Sequence, residues 1–108
     1  IVVPGFQITE GTSSNLEAIR TAIDRNIKLD VDYVSIKGEE TSRTIWPFIL
    51  YFWGNKWTVG AWCELRQGFR SFRVDLMKSA QLSGASFEPD DQRSLSAYID
   101  YQRANNRD

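Results

Sequence analysis

The sequence predicts a mostly β domain with flanking helices, an α+β fold in which a small antiparallel sheet curls on itself after an N-terminal helix. Three observations carry this. Leu29, Val31 and Tyr33 alternate with Lys28, Asp30 and Asp32, the period-two pattern of a half-buried strand. Gly54-Asn55-Lys56 separates two aromatic-rich runs, a short-hairpin signal because Gly and Asn accept positive φ. Several short strands then follow one another through close turns, and Gly60 falls inside one of them, where a missing side chain permits a bend or a close backbone approach.

The elements follow in order. Residues 1–12 have no clear period and carry Pro4, Gly5 and Gly11, so residues 1–13 read as a leader or linker. Residues 14–88 form the β domain, and residues 89–108 a C-terminal helix and tail. Ser14 and Glu17 have capping-box spacing, and Leu16, Ile19, Ile23 and Ile27 recur at helical spacing, which predicts a helix over 15–26. The first strand runs from Lys28 to Tyr33. Lys37-Gly38-Glu39-Glu40 is a turn, and strands are expected over 41–46, 48–53, 57–65 and 69–75, with a second turn at Gln67-Gly68. Pro89 and Asp90 open the final helix, with Leu95, Tyr98 and Ile99 as its inward face.

Composition limits what this domain can do. A chain of 108 residues with 42% hydrophobic and 25% charged content fits one globular core. The longest apolar run, Ile45 to Trp53, is too short to cross a bilayer and contains Pro47; no membrane partner is expected. The start has neither the basic region nor the apolar segment of a secretory signal. Because it begins at Ile1 rather than Met, the chain is expected to be a processed or excised piece of a longer protein. The lone Cys63 excludes an internal disulfide and fits a reducing compartment, so a cytoplasmic location is expected. No His is present, so there is no histidine base or metal ligand. Cys63 shares a strand face with Trp57, Val59, Ala61 and Leu65 and reads as core. Asp30 and Asp32 read as solvated edge charges. The glycines are scattered singly, without a phosphate loop. Neither catalysis, nor a metal, nor a cofactor is expected.

The net charge of −1 hides an asymmetry. Residues 41–79 carry an excess of four positive charges, through Arg43, Lys56, Arg66, Arg70, Arg73 and Lys78 against Glu64 and Asp75. Arginines interleaved with aromatic rings suit an anion whose remaining surface is flat or apolar, such as a nucleotide. Along 69–75, Phe69, Ser71 and Arg73 share one face while Arg70, Phe72 and Val74 share the other. One of these arginines therefore turns towards the core or a cleft. Such a guanidinium needs either an internal carboxylate, with Asp75 and Glu64 as candidates, or a ligand anion. Arg43, two residues after Thr41, flanks the same sheet, and Ser42 beside it offers a hydroxyl. The tryptophans divide between core and a stacking surface.

Four motifs in order, Ser42-Arg43-Thr-Ile-Trp-Pro47, Phe52-Trp-Gly-Asn-Lys-Trp57, Ala61-Trp-Cys-Glu-Leu-Arg66 and Phe69-Arg-Ser-Phe-Arg-Val-Asp75, resemble the successive signatures of the WYL domain of bacterial helix-turn-helix transcriptional regulators. The resemblance covers residues 14–90. Two positions depart from it: the eponymous Trp-Tyr-Leu reads Trp57-Thr58-Val59, and Leu76-Met77 follows Asp75 where the family has Arg and Ile. The resemblance implies an Sm-like, SH3-type five-stranded antiparallel β-barrel preceded by a helix. It also implies an effector-sensing role, with Ser42, Arg43, Trp57, Arg66, Arg70 and Arg73 as ligand-binding residues. The expected partners are an anionic effector (single-stranded nucleic acid or a nucleotide-like small molecule), DNA through a helix-turn-helix outside this chain, and a second copy in a homodimer. The alternative is a dimerisation or protein-contact module whose arginines form structural ion pairs.

Overall fold

The computed structural model describes residues 10–105. Helix α1 (Glu10–Arg25) leads into strands β1 (Ile27–Val34), β2 (Glu40–Trp53), β3 (Lys56–Cys63) and β4 (Gly68–Arg73). A single 3-10 turn (Val74–Leu76) connects β4 to β5 (Met77–Ser86), and helix α2 (Leu95–Asn105) closes the chain. The expected fold class is what the chain adopts: mostly β, with five antiparallel strands in one open sheet of order β4-β3-β2-β1-β5 and a helix at each end.

Helix α1 starts at Glu10, inside the stretch read as a leader, so Ser14 lies within the helix rather than at its cap; residues 1–9 lie outside the described residues. Ile19 and Ala22 are fully buried, and Leu16 and Ile23 pack beside them. Asn15 is the one polar exception on this face. Its Nδ2 donates to the Met77 carbonyl at 3.2 Å, and its Oδ1 accepts the Ala80 N–H at 3.1 Å. The helix is thereby pinned to edge strand β5, whose outer backbone groups would otherwise lack partners.

The expected strands at 41–46 and 48–53 are one strand, β2, running through Pro47. Pro47 has no N–H to donate, and the β2–β3 register shifts between Pro47 and Ile49, so a bulge absorbs it. Gly54 (φ 58°) and Asn55 (φ 65°) make the two-residue turn between Trp53 and Lys56, as their residue types predict. The fifth strand is not one of those expected from the sequence: it is β5, a Ser- and Ala-rich segment without alternation, which exists because β1 pairs with it and α1 packs over it. Strand β3 stops at Cys63, where Gln67 (φ 54°) donates to the Cys63 carbonyl, leaving Leu65 in an exposed turn.

Two apolar clusters fill the two faces of the sheet. The inner cluster, under α1, gathers Leu29, Val31, Ile45, Val59, Ala61, Cys63, Phe72 and Val74. The outer one joins Trp46, Phe48, Phe87 and Tyr98, with Trp62 and Phe69 packed against it. Helix α2 begins later than Pro89: Asp90 instead accepts the N–H groups of Gln92 and Arg93 in a turn, and Ser94 caps the helix through the Ala97 N–H. Of its three expected inward residues only Tyr98 is buried, at 4% exposure; Leu95 and Ile99 are 40% and 37% exposed. Tyr98 lies directly over Gly60, where any Cβ would run into its ring.

Candidate anion-binding site

Strand parity separates the candidate residues. Arg43 shares the inner face of β2 with Ile45, and Arg70 shares the inner face of β4 with Phe72. The Arg43 guanidinium lies over the Phe72 ring, 5.7 Å from its centre. Its Nε donates to Thr41 Oγ1 at 3.1 Å, and its Nη1 reaches Cys63 Sγ at 3.8 Å. Tyr33 meets Phe72 edge-on at 5.2 Å, bracing the ring from behind. None of the ion pairs among the described residues involves Arg43 or Arg70. Arg43 is thus a half-buried cation held by a hydroxyl, a thiol and a ring, all neutral. A half-buried guanidinium that meets no carboxylate among the described residues keeps charged donors open to an anion from solution.

The other candidates lie elsewhere. Ser42 points to the opposite face, donating to Asp32 Oδ1 at 2.6 Å, and Ser79 donates to Asp32 Oδ2 at 3.0 Å. These two hydroxyls, Ser42 foremost, hold the Asp32 carboxyl below its ordinary range. Thr44 caps Asp30 likewise at 2.8 Å. The shallow 240 Å³ pocket there has Asp30, Asp32, Ser42, Ser79 and also Arg43 in its lining; two carboxylates against one guanidinium make it a poor anion site. Adjacent in sequence, Ser42 and Arg43 do not converge.

Arg73 is internally neutralised. It grips Asp75 through Nη2 at 2.7 Å and Nε at 3.1 Å, and Lys56 stands 3.8 Å from the same carboxylate. The bidentate contact raises the Arg73 pKa and lowers that of Asp75. Of the two carboxylates weighed as partners for an arginine, Asp75 takes Arg73. Glu64 instead accepts Lys28 Nζ and Trp46 Nε1, both at 2.8 Å, and its pKa falls, Lys28 being the main cause. Arg66 is exposed in the β3–β4 turn. Trp57 sits at the far end of β3 from Cys63, about 20 Å away along the strand, where with Leu50 it lines a groove beside α1. Its indole Nε1 is buried without a hydrogen-bond partner, and Phe52 meets its ring edge-on at 5.2 Å.

The residues that hold Arg43, namely Thr41, Cys63, Phe72 and Tyr33, were not among the expected ligand-binding residues. The signal for Thr41 was its i, i+2 spacing to Arg43, which puts both on one strand face. Phe72 and Cys63 come from strands β4 and β3, and no local pattern pairs them with β2. Among the described residues no group of His, Cys, Asp and Glu could hold a metal ion, and no helix is long and apolar enough to cross a membrane.

The fold is a helix-capped, five-stranded antiparallel sheet with Arg43, which meets no carboxylate among the described residues, on its inner face. The chain belongs to the WYL domain family, which matches residues 14–82. It is 32% identical over 79 residues to the uncharacterized HTH-type transcriptional regulator YobV of Bacillus subtilis (strain 168), covering 73% of this chain and 25% of that protein. Among solved structures it resembles the proteasome accessory factor B/C (PafBC) of Arthrobacter aurescens, with a TM-score of 0.70 and 29% identity over 80% of this chain and 14% of that one. The chain therefore spans a quarter or less of the length of these two relatives.

Proposed function

We propose that this chain is the effector-sensing domain of a bacterial transcriptional regulator. It binds an anionic ligand, single-stranded nucleic acid or a nucleotide-like small molecule, through Arg43 and Arg70, whose strand positions share the inner face of the sheet. A single observation carries this reading: Arg43 is half-buried, fixed by a hydroxyl, a thiol and a ring, and meets no carboxylate among the described residues. Arg43 and Arg70 supply the direct contacts, and the buried Phe72 ring backs the Arg43 guanidinium. Arg66, in the β3–β4 turn, and Arg73, neutralised by Asp75, stand outside this contact. Ser42 and Trp57 stand apart from the primary contact. Ligand binding shifts the arrangement of this domain relative to a helix-turn-helix elsewhere in the parent protein, and so its affinity for DNA. The likeness to an HTH-type transcriptional regulator supports the regulatory part. No catalytic step belongs to this reading, and the domain works in the cytoplasm, where its DNA is.

The test is fluorescence anisotropy of a labelled single-stranded oligonucleotide titrated with the domain at several salt concentrations. Saturable binding should weaken linearly in log salt, with a slope of about −0.7 per phosphate neutralised. Arg43→Ala should weaken it at least about tenfold, the worth of one charge-assisted contact. Unchanged affinity in Arg43→Ala and Arg70→Ala would remove the site assignment.

One observation favours a second reading, a dimerisation module. Strands β4 and β5 are both edges of the open sheet, and free edges pair readily between copies. Light scattering that shows a monomer at every concentration would remove it.

A further inference from the structure

We infer that Thr41 is a positioning residue for Arg43, and that it restricts the guanidinium to gripping an oxyanion through its Nη1/Nη2 end alone. The inference rests on the ligand site proposed above and concerns how that site chooses its approach.

A guanidinium offers five N–H groups and two edges on which a bidentate anion can dock: a side formed by Nε and Nη2, and an end formed by Nη1 and Nη2. In this protein the Nε–H is already given to Thr41 Oγ1 at 3.1 Å. One further N–H, on Nη1, faces Cys63 Sγ at 3.8 Å. Of the five, three are left, and the side edge has lost one of its two donors. Sulfur is a weak acceptor, so Cys63 does not compete seriously with an oxyanion for the end edge. The guanidinium carbon lies over the Phe72 ring, 5.7 Å from its centre, so the ring backs the group without taking a donor. Thr41 closes the side, and the end remains.

The arrangement is rigid where it matters. Thr41 lies opposite Tyr33 in the β1–β2 ladder, and Tyr33 braces Phe72 edge-on. The strand position that carries the orienting hydroxyl and the ring that supports Arg43 therefore both adjoin the same tyrosine. A long, flexible side chain becomes a fixed donor pair before the ligand arrives, which spares the ordering cost of binding. Thr41 itself need not touch the ligand.

The test uses wild type, Thr41→Val, Thr41→Ser and Arg43→Ala. Val keeps the β-branched shape and removes the acceptor; Ser keeps the acceptor. Inorganic phosphate is titrated while the Arg43 Nε and Nη resonances are followed by NMR, and backbone amide spectra confirm that each variant is folded. In wild type and Thr41→Ser, phosphate should shift the Nη resonances and leave Nε–H in place. In Thr41→Val the Nε–H resonance should move as well, because the side edge has opened. Affinity for the labelled oligonucleotide should fall about five- to tenfold in Thr41→Val, the effect of losing one orienting hydrogen bond, and return in Thr41→Ser. An Nε–H that responds to phosphate in wild type overturns the inference, as does an absence of any Arg43 response. If wild type binds no oligonucleotide but the phosphate pattern holds, the positioning by Thr41 stands and nucleic acid is removed as the ligand in the functional reading. If Arg43→Ala weakens oligonucleotide binding and Thr41→Val does not, the site stands and the positioning role falls.

Discussion

The Tyr33 hydroxyl accepts the backbone N–H of Arg73 at 3.1 Å, linking β1 to β4 although two strands lie between them in the sheet order. Only strong curling of the sheet brings these two residues together. The contact takes up one donor of edge strand β4, in the place where a closed barrel would have a ladder.

Tyr33→Phe removes that acceptor and keeps the ring against Phe72. The expected cost is about 1 kcal/mol, or a fall in Tm of about 4–8 °C. Thermal denaturation measures it, and the Arg73 amide should exchange faster with solvent. Unaltered exchange at Arg73 would show that the hydroxyl does not serve this amide.

Asn15→Ala should be more damaging than its size suggests. It strands the Ala80 N–H and the Met77 carbonyl at a buried helix–strand contact, for an expected loss of about 1–3 kcal/mol. Urea denaturation gives the number, and Asn15→Asp should not restore it, because a carboxylate cannot donate to the carbonyl.

Gly60→Ala should drive Tyr98 off the sheet, at an overpacking cost of about 1–3 kcal/mol. The Tyr98 hydroxyl meets Tyr51 at 3.1 Å, Ser71 at 2.8 Å and Gln102 at 2.7 Å, so the whole anchor of α2 goes with it. The same displacement is visible in a spectrophotometric titration. Burial pushes the Tyr98 phenol up to about 12 from an ordinary 10.0; in Gly60→Ala its ionisation should move back down towards 10.0. In wild type, the raised pKa stabilises the fold below pH 10, and this contribution is lost as pH rises towards 12. With Tyr98→Ala already in place, Gly60→Ala should cost little.

Acid should unfold the domain through its depressed carboxyls. Asp75, held down chiefly by Arg73, and Glu64, held down chiefly by Lys28, have folded pKa values below their ordinary 3.8 and 4.5. Their contribution is present above those ordinary values and disappears as pH falls through the lower folded ones. Stability measured from neutral pH downwards should therefore decline below about pH 4.5. Asp75→Asn should flatten part of this decline. An equally steep acid limb in that variant would mean that other groups carry it.

Much of the fold was legible because local rules and tertiary packing agree there. Alternation marked β1, the Gly54-Asn55 pair marked the β2–β3 turn, and the arginine–aromatic run marked β4. Strand β5 was not legible: Ser79, Ala80, Ser83, Gly84 and Ala85 carry no strand preference, and only pairing with β1 and the cover of α1 make them one. Pro47 argued for two strands, and a bulge made one.

The amino-acid order by itself determined the family, the antiparallel β character and the presence of Arg43 and Arg70 in a basic stretch, since motif order, hairpin chemistry and charge are local properties. Parity, too, was local, and it already put Ser42 and Arg43 on opposite faces. Tertiary structure decided which arginine is neutralised and which is not. Arg73 meets Asp75 across the turn that ends β4, while Arg43 meets Phe72 and Cys63, brought from two other strands by the curling of the sheet. Charge compensation depends on which side chains are neighbours in space: Asp75 reaches Arg73 from two residues away, whereas the neighbours of Arg43 on β3 and β4 are set by strand pairing over long separations.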